Sequence, residues 1–409
     1  MVRTHGSNGV GRSRVGHHAR VTPPDLIVTP LDSELVRGAA ELEQTAYGVL
    51  PHRLPASARR WADPQLAFAE SQPSGVRVAF RTRSRVVRLM TVPTKQVYVG
   101  APPRPDGVYD LVVDGALAAQ ATAPGGHTMT IDMAGGVEVT PGQPVAVEVS
   151  DLGGSEKEVE VWLPWNERTE VVSLHTDSPV TPLPAPGRRW LHHGSSISHG
   201  SDADSPTGTW PAVAAAMGRV GLMNLGFSGS ALLDPFVARA MRDTPADLIS
   251  LKLGINVVNH DSMRLRALTP AVHGFLDTIR EGHPTTPLLL VSPILCPIHE
   301  QVPGPTDMDL SALAEGRLRF RAAGDTGEVA AGKLTLTVIR DELAQVVTDR
   351  RADDPHLAYL DGRDLYGAAE AAAFPLPDDL HPGAAAQRLI GERFAHQVFA
   401  GGGAFSEPQ

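Results

Sequence analysis

Two short segments carry the residue types that acyl chemistry needs. Gly194-Ser195-Ser196-Ile197-Ser198-His199-Gly200 offers hydroxyls in a glycine-bounded turn, and Asp378-Asp379-Leu380-His381 puts a carboxylate just ahead of an imidazole. A serine hydroxyl is a weak nucleophile until a base removes its proton, and the base needs a partner that fixes its tautomer. Asp378 is spaced to orient His381, and His381 to take the proton. Ser196, at the start of the turn, is the preferred nucleophile; Ser195 and Ser198 compete with it. Attack on a carbonyl also needs donors aimed at the developing oxyanion. Two segments between the terminal pair offer them: Asn224-Leu225-Gly226-Phe227-Ser228-Gly229, and Gly254-Ile255-Asn256.

The elements that must position these groups are readable from periodicity. Apolar runs at 190–192, 221–225, 248–253, 288–294 and 357–360 alternate with helical stretches at 210–217, 231–241, 263–280, 334–347 and 384–399. Strand-helix alternation of this kind predicts a largely parallel sheet covered on both faces, over residues 188–400. Each reactive segment then follows a strand, at the edge where open α/β sheets bind ligands. Residues 297–330 interrupt the alternation with a polar, Gly/Pro-containing insertion, either a lid or substrate wall or a plain surface excursion.

Upstream, over 25–177, the period is two. Val76, Val78 and Phe80 alternate with Arg77, Ala79 and Arg81; Val145, Val147 and Val149, and then Val159, Val161 and Leu163, repeat the arrangement. With Asp114-Gly115, Pro141-Gly142 and Gly153-Gly154 as punctuation, the pattern predicts an all-β sandwich of the jelly-roll kind. Pro179, Pro182, Pro184 and Pro186 mark 178–187 as a stiff, extended linker. Residues 1–24 read as a disordered tail without the apolar core of a secretory signal, and 401–409 as a flexible tail.

Composition removes several function classes. The 409 residues carry a net charge of −10, with no extended basic stripe for nucleic acid. The longest apolar runs fall far short of the ~20 residues that cross a bilayer. A cytoplasmic protein is expected. The single cysteine, Cys296, excludes an internal disulfide and reads as a free buried thiol. His192, His193 and His199 crowd the first segment, but no carboxylate at metal-ligand spacing accompanies them; core or rim histidines are expected, with His199 a weak candidate for substrate contact, and neither metal nor cofactor.

The order Ser, Gly, Asn, His in four blocks resembles the SGNH hydrolases, also called GDSL esterases and lipases. The resemblance covers roughly 188–400. It places the nucleophile at Ser196, oxyanion donors at the Ser196 N–H, Gly229 and Asn256, and the base and its carboxylate at His381 and Asp378. Ser195 stands where aspartate is usual and Val257 where aspartate is frequent. It implies a three-layer α/β/α domain. A β-sandwich ahead of such a domain is similar to the two-domain esterases and acyltransferases of actinomycetes, a type that includes an acyltransferase of a tetracycline pathway.

Each motif alone has a plainer reading. Ser196 would be an ordinary turn serine, Gly226 and Gly229 a tight turn, Asn256 a strand-end cap and His381 a surface residue. Their joint order at successive strand ends outweighs these. The expected function is a serine esterase acting through an acyl-enzyme on a small acyl ester or thioester. The alternative is an acyltransferase moving an acyl group, with acyl-CoA as one donor, to a natural-product or sugar hydroxyl. A third reading makes the sandwich a carbohydrate binder, through Trp162 and Trp165, although interdomain packing is the better expectation for both.

Overall fold

A computed structural model describes residues 26–100, 104–132, 135–184 and 187–406. The tail expected over 1–24, and residues 407–409, lie outside the described residues.

The amino-terminal region is built on two mostly antiparallel sheets. The first runs Gly136–Thr140, His127–Asp132, Val87–Tyr98, Arg168–Thr176, Val49–His52, Glu41–Gln44, with Ile27–Thr29 and Val145–Val149 joined off that path; the second runs Val180–Pro182, Arg77–Thr82, Lys157–Trp162, Val108–Val113, Ala116–Thr122, with Val36–Arg37 on Arg77–Thr82. Val87, Leu89 and Val171 of one sheet share a core with Val78, Phe80 and Val159 of the other, so the period-two residues face inward as expected.

The other face of the second sheet departs from the half-buried expectation. Arg77 and Ala79 are buried as well: Arg77 donates to Glu160 at 3.0 Å, lies over the Trp162 ring and reaches Leu222 O of the α/β region at 3.4 Å. The amino-terminal region is not purely β: helices Ala56–Arg59 and Pro64–Ser71 interrupt it, and Leu54, Ala58, Leu66 and Ala69 belong to the α/β core. The Pro-rich connection is more than a linker, since Val180–Pro182 pairs antiparallel with Arg77–Thr82.

The carboxy-terminal region holds a five-stranded parallel sheet in the order Val220–Gly226, Arg188–Gly194, Leu248–Lys252, Leu288–Val291, Leu357–Leu360. Its central strands are continuous buried runs, as a sheet covered on both faces requires. Leu265–Gly282 covers it with Leu268, Val272, Phe275, Leu276 and Ile279, a stripe at helical spacing. The expected helix at 231–241 begins later, at Pro235, whose fixed φ suits a first helical position, and the chain before it turns through Leu233 at φ 65°. The last helix closes at Phe394 and continues as a wider turn over Ala395–Phe399. The tail expected from 401 onward is overturned for its described part: Phe405 is fully buried, and its N–H bonds Val398 O at 2.9 Å.

The strand order reverses at Arg188–Gly194, which lies between the strands that follow it in sequence. Gly194 is in register with both Gly226 and Lys252. The segments after these three strands therefore leave the sheet at one level, at the switch point where doubly wound sheets open a crevice.

Candidate active site

Ser196 opens a single helical turn, Ser196–His199, that Gly200 ends in the left-handed region at φ 117°. The turn packs so closely on the neighbouring strand that a Cβ at Gly226 would lie 2.4 Å from the His199 nitrogen, which is why glycine stands there. Beneath it, His192 bridges Ser250 Oγ (2.7 Å) and Ser198 Oγ (2.8 Å). Ser198 is thus committed to His192, and the buried Ser195 hydroxyl has no partner among the described residues.

Ser196 differs from both. Its Oγ lies 2.9 Å from His381 Nε2, and His381 Nδ1 lies 2.6 Å from Asp378 Oδ2. The other carboxylate oxygen accepts the backbone N–H groups of Leu380 (2.9 Å) and His381 (2.6 Å). Burial would raise the Asp378 pKa, but these bonds and the adjacent imidazole hold it below the usual carboxylate range. An ionised Asp378 fixes the proton on Nδ1 and leaves Nε2 to accept from Ser196.

The insertion at 297–330 supplies one wall of this site. It folds as the strand pair Thr306–Met308 and Phe320–Ala322 around helix Leu310–Ala314. Arg319 grips Asp379 through two bonds of 2.5 Å, the Phe320 N–H donates to Asp378 O (2.9 Å), and the Phe320 ring meets the His381 ring edge-on at 6.0 Å. Beside it opens a cleft of about 460 Å³, lined by Arg104 and Val108 from the amino-terminal region, Trp165, Asp202, Leu318 and Phe320, with Asp378 and His381 at its floor. That volume is within the range of small-molecule sites. Asp202, at φ 63°, brings a carboxylate oxygen within 4.8 Å of donor atoms of Asp378 and His381. Burial and Asp378 raise its pKa against the opposing pull of His381 and Arg104.

The two remaining predicted residues follow the flanking strands. Gly229 has φ 73°, and its carbonyl accepts from His260 Nε2 at 2.9 Å; its N–H has no acceptor among the described residues. Asn256 stands in the short helix Ile255–Asn259, and its Oδ1 accepts the Ala231 N–H at 3.1 Å. That bond turns the amide so that its NH₂ remains a donor.

The three crowded histidines are hydrogen-bonded within the protein. Burial pushes the pKa values of all three down, that of His193 to about 4. His193 Nδ1 donates to Leu225 O, and His199 Nε2 donates to Trp165 O, both at 2.8 Å. His199 therefore ties the two regions together. Trp162 is buried against Val112 and Ala212, and Trp165 donates to Ala203 O at 3.3 Å, so both tryptophans pack across the regions. Cys296 is free and buried. No helix among the described residues is long and apolar enough to cross a membrane.

Sequence reasoning missed Trp165 as a cleft residue, Asp202, Leu318 and Phe320.

A family model described as GDSL-like lipase/acylhydrolase matches residues 188–298, and one described as the SsfX3 N-terminal domain matches 35–171. No curated protein sequence matches the chain. Among solved structures, the salicylyl-acyltransferase SsfX3 from a tetracycline biosynthetic pathway is 26% identical, over 90% of this chain and 95% of that one, with a TM-score of 0.74. A structure from Bacteroides ovatus assigned as a GDSL-like lipase is 19% identical, over 90% and 96%, at 0.65. A family two carbohydrate esterase from Clostridium thermocellum, in complex with cellohexaose, is 13% identical, over 84% and 95%, at 0.53; these last two likenesses concern the fold. The chain thus matches the GDSL-like lipase/acylhydrolase family model in its α/β region and the SsfX3 N-terminal domain model in its sandwich.

Proposed function

We propose that the protein is a serine esterase that cleaves small acyl esters through an acyl-enzyme. The observation that carries this reading is the unbroken series Ser196 Oγ, His381 Nε2, His381 Nδ1, Asp378 Oδ2, at 2.9 and 2.6 Å, whose His381 and Asp378 line the cleft. Ser196 Oγ attacks the acyl carbonyl carbon and its proton passes to His381 Nε2. The N–H groups of Ser196 and Gly229 and the Asn256 amide hold the oxyanion. As the tetrahedral intermediate collapses, the imidazolium returns the proton to the departing alcohol oxygen, leaving Ser196 acylated. His381 then takes a proton from water as that water attacks the acyl carbon, and collapse of the second tetrahedral intermediate breaks the bond to Ser196 Oγ, which takes the proton back from His381 as the acid leaves.

Acyl transfer is the second reading, supported by the likeness to SsfX3 in both regions. The first half-reaction is shared, and an acceptor hydroxyl replaces water in the second. An acyl thioester would serve as donor by the same attack.

Release of p-nitrophenol from short-chain p-nitrophenyl esters tests both readings. Wild-type turnover and its loss in a folded Ser196→Ala variant are expected, and added alcohols acting as acceptors would direct product toward new esters. Equal turnover in the two proteins would remove Ser196 from the reaction.

A further inference from the structure

We infer that Gln65, contributed by the amino-terminal region, is a positioning residue for the oxyanion hole. It acts through the peptide group whose N–H is the proposed Gly229 donor, and so rests on the reading above. Gln65 Nε2 donates to Ser228 O at 3.0 Å. Ser228 C=O and Gly229 N–H are the two ends of one planar peptide unit, so fixing the carbonyl fixes the direction of the N–H. A bond accepted at the carbonyl also polarises the N–H at the opposite end.

Gln65 is held to this task by a rigid element. It lies in the first turn of helix Pro64–Ser71, where Asp63 caps the Leu66 N–H at 2.8 Å and Leu66 and Ala69 are buried in the core beneath the parallel sheet. The same loop is held at its other groups: Arg53 donates to Asn224 O (3.0 Å) and Gly226 O (2.6 Å), the Ser228 N–H donates to His199 Nδ1 (3.3 Å), and His260 holds Gly229 O. Ser228 O also accepts the Ser230 hydroxyl at 3.4 Å from within the loop, Gln65 gives the shorter bond at 3.0 Å, and a Cβ at Gly229 would lie 3.3 Å from Gln65 Nε2. A side chain that turns one peptide contributes where charge develops in the transition state and little where substrate binds in the ground state.

The test compares full-length wild type, Gln65→Ala and the near-isosteric Gln65→Glu, which has no donor at neutral pH. Two rates are read: turnover of p-nitrophenyl acetate, and phosphonylation of Ser196 by a p-nitrophenyl alkylphosphonate, which develops the same oxyanion without the natural substrate. Both variants are expected to lose roughly tenfold in kcat and in the limiting phosphonylation rate, with KM within about twofold and the melting temperature unchanged, the scale of one hydrogen bond. Wild-type rates in both variants, or a loss confined to KM or accompanied by a lowered melting temperature, overturn the inference. Asn256→Ala and Ser196→Ala run alongside. A strong loss in Asn256→Ala with none at Gln65 discards the Gln65 role and keeps the oxyanion hole; full phosphonylation in Ser196→Ala discards the reading beneath both.

Discussion

Glu167 illustrates how a single residue ties chemistry to stability. It is buried, its Oε1 accepts the Gly107 N–H at 2.8 Å, and its other oxygen has no partner among the described residues. Burial pushes its pKa up to about 7, against the pull of the Gly107 bond and Lys95. An acid with a raised folded pKa stays protonated in the native state while the unfolded chain ionises. Stability is therefore lost as pH climbs from about 4 to about 7, by up to on the order of 3 kcal/mol, and is level above that. Glu167→Gln keeps the shape and cannot ionise. Denaturant unfolding at pH 5 and pH 8 should show the variant gaining on the wild type at the higher pH; an equal difference at both would refute the buried-acid account. Because Gly107 belongs to the stretch that lines the cleft, this residue also anchors one wall. Nothing in its sequence neighbourhood marks it, since burial of a lone glutamate is a tertiary event.

At the scale of elements, the legible parts were those governed by local periodicity. The run at 248–253 became the strand Leu248–Lys252, because buried parallel strands are continuous apolar stretches, and the one at 357–360 became the partly buried edge strand Leu357–Leu360. The Ser196 turn and the Asp378-to-His381 segment were legible because their chemistry is compressed into adjacent positions. Boundaries set by distant partners were not. Val180–Pro182 looks like a linker until Arg77–Thr82 offers it an edge, and Phe405 looks like a tail residue until Phe399, 5.8 Å away between ring centres, gives it a pocket. Arg188 Nη1 holds the Phe405 carbonyl at 2.6 Å. Phe405→Ala should destabilise the protein by about 3 kcal/mol in denaturant unfolding, as for other buried aromatics; a change near zero would show that the segment contributes nothing to the core.

Across the whole molecule, the two regions are bound together around the proposed site. The fully buried Arg53 spends its guanidinium on the carbonyls of Ala69, Glu70, Asn224 and Gly226, and burial lowers its pKa only to about 9, so it remains cationic at neutral pH. Asp110 holds Ser205 Oγ (2.7 Å) and the Thr207 N–H (2.9 Å), and Ser74 Oγ donates to His199 O at 2.5 Å. These contacts reach the Ser196 turn, the loop that follows Gly226 and the cleft wall alike, so the sandwich supports and borders the proposed site. Such cross-region bonds join residues far apart in sequence, which is why the sandwich could be recognised from its pattern while its purpose could not. The most direct measurement on the central claim is to quench the protein during turnover of p-nitrophenyl acetate, digest it and find the acetylated peptide by mass spectrometry. The account predicts one acetyl group, on Ser196, appearing with an initial burst of p-nitrophenol; acetyl on another side chain, or steady release of p-nitrophenol with no acylated peptide, would contradict it.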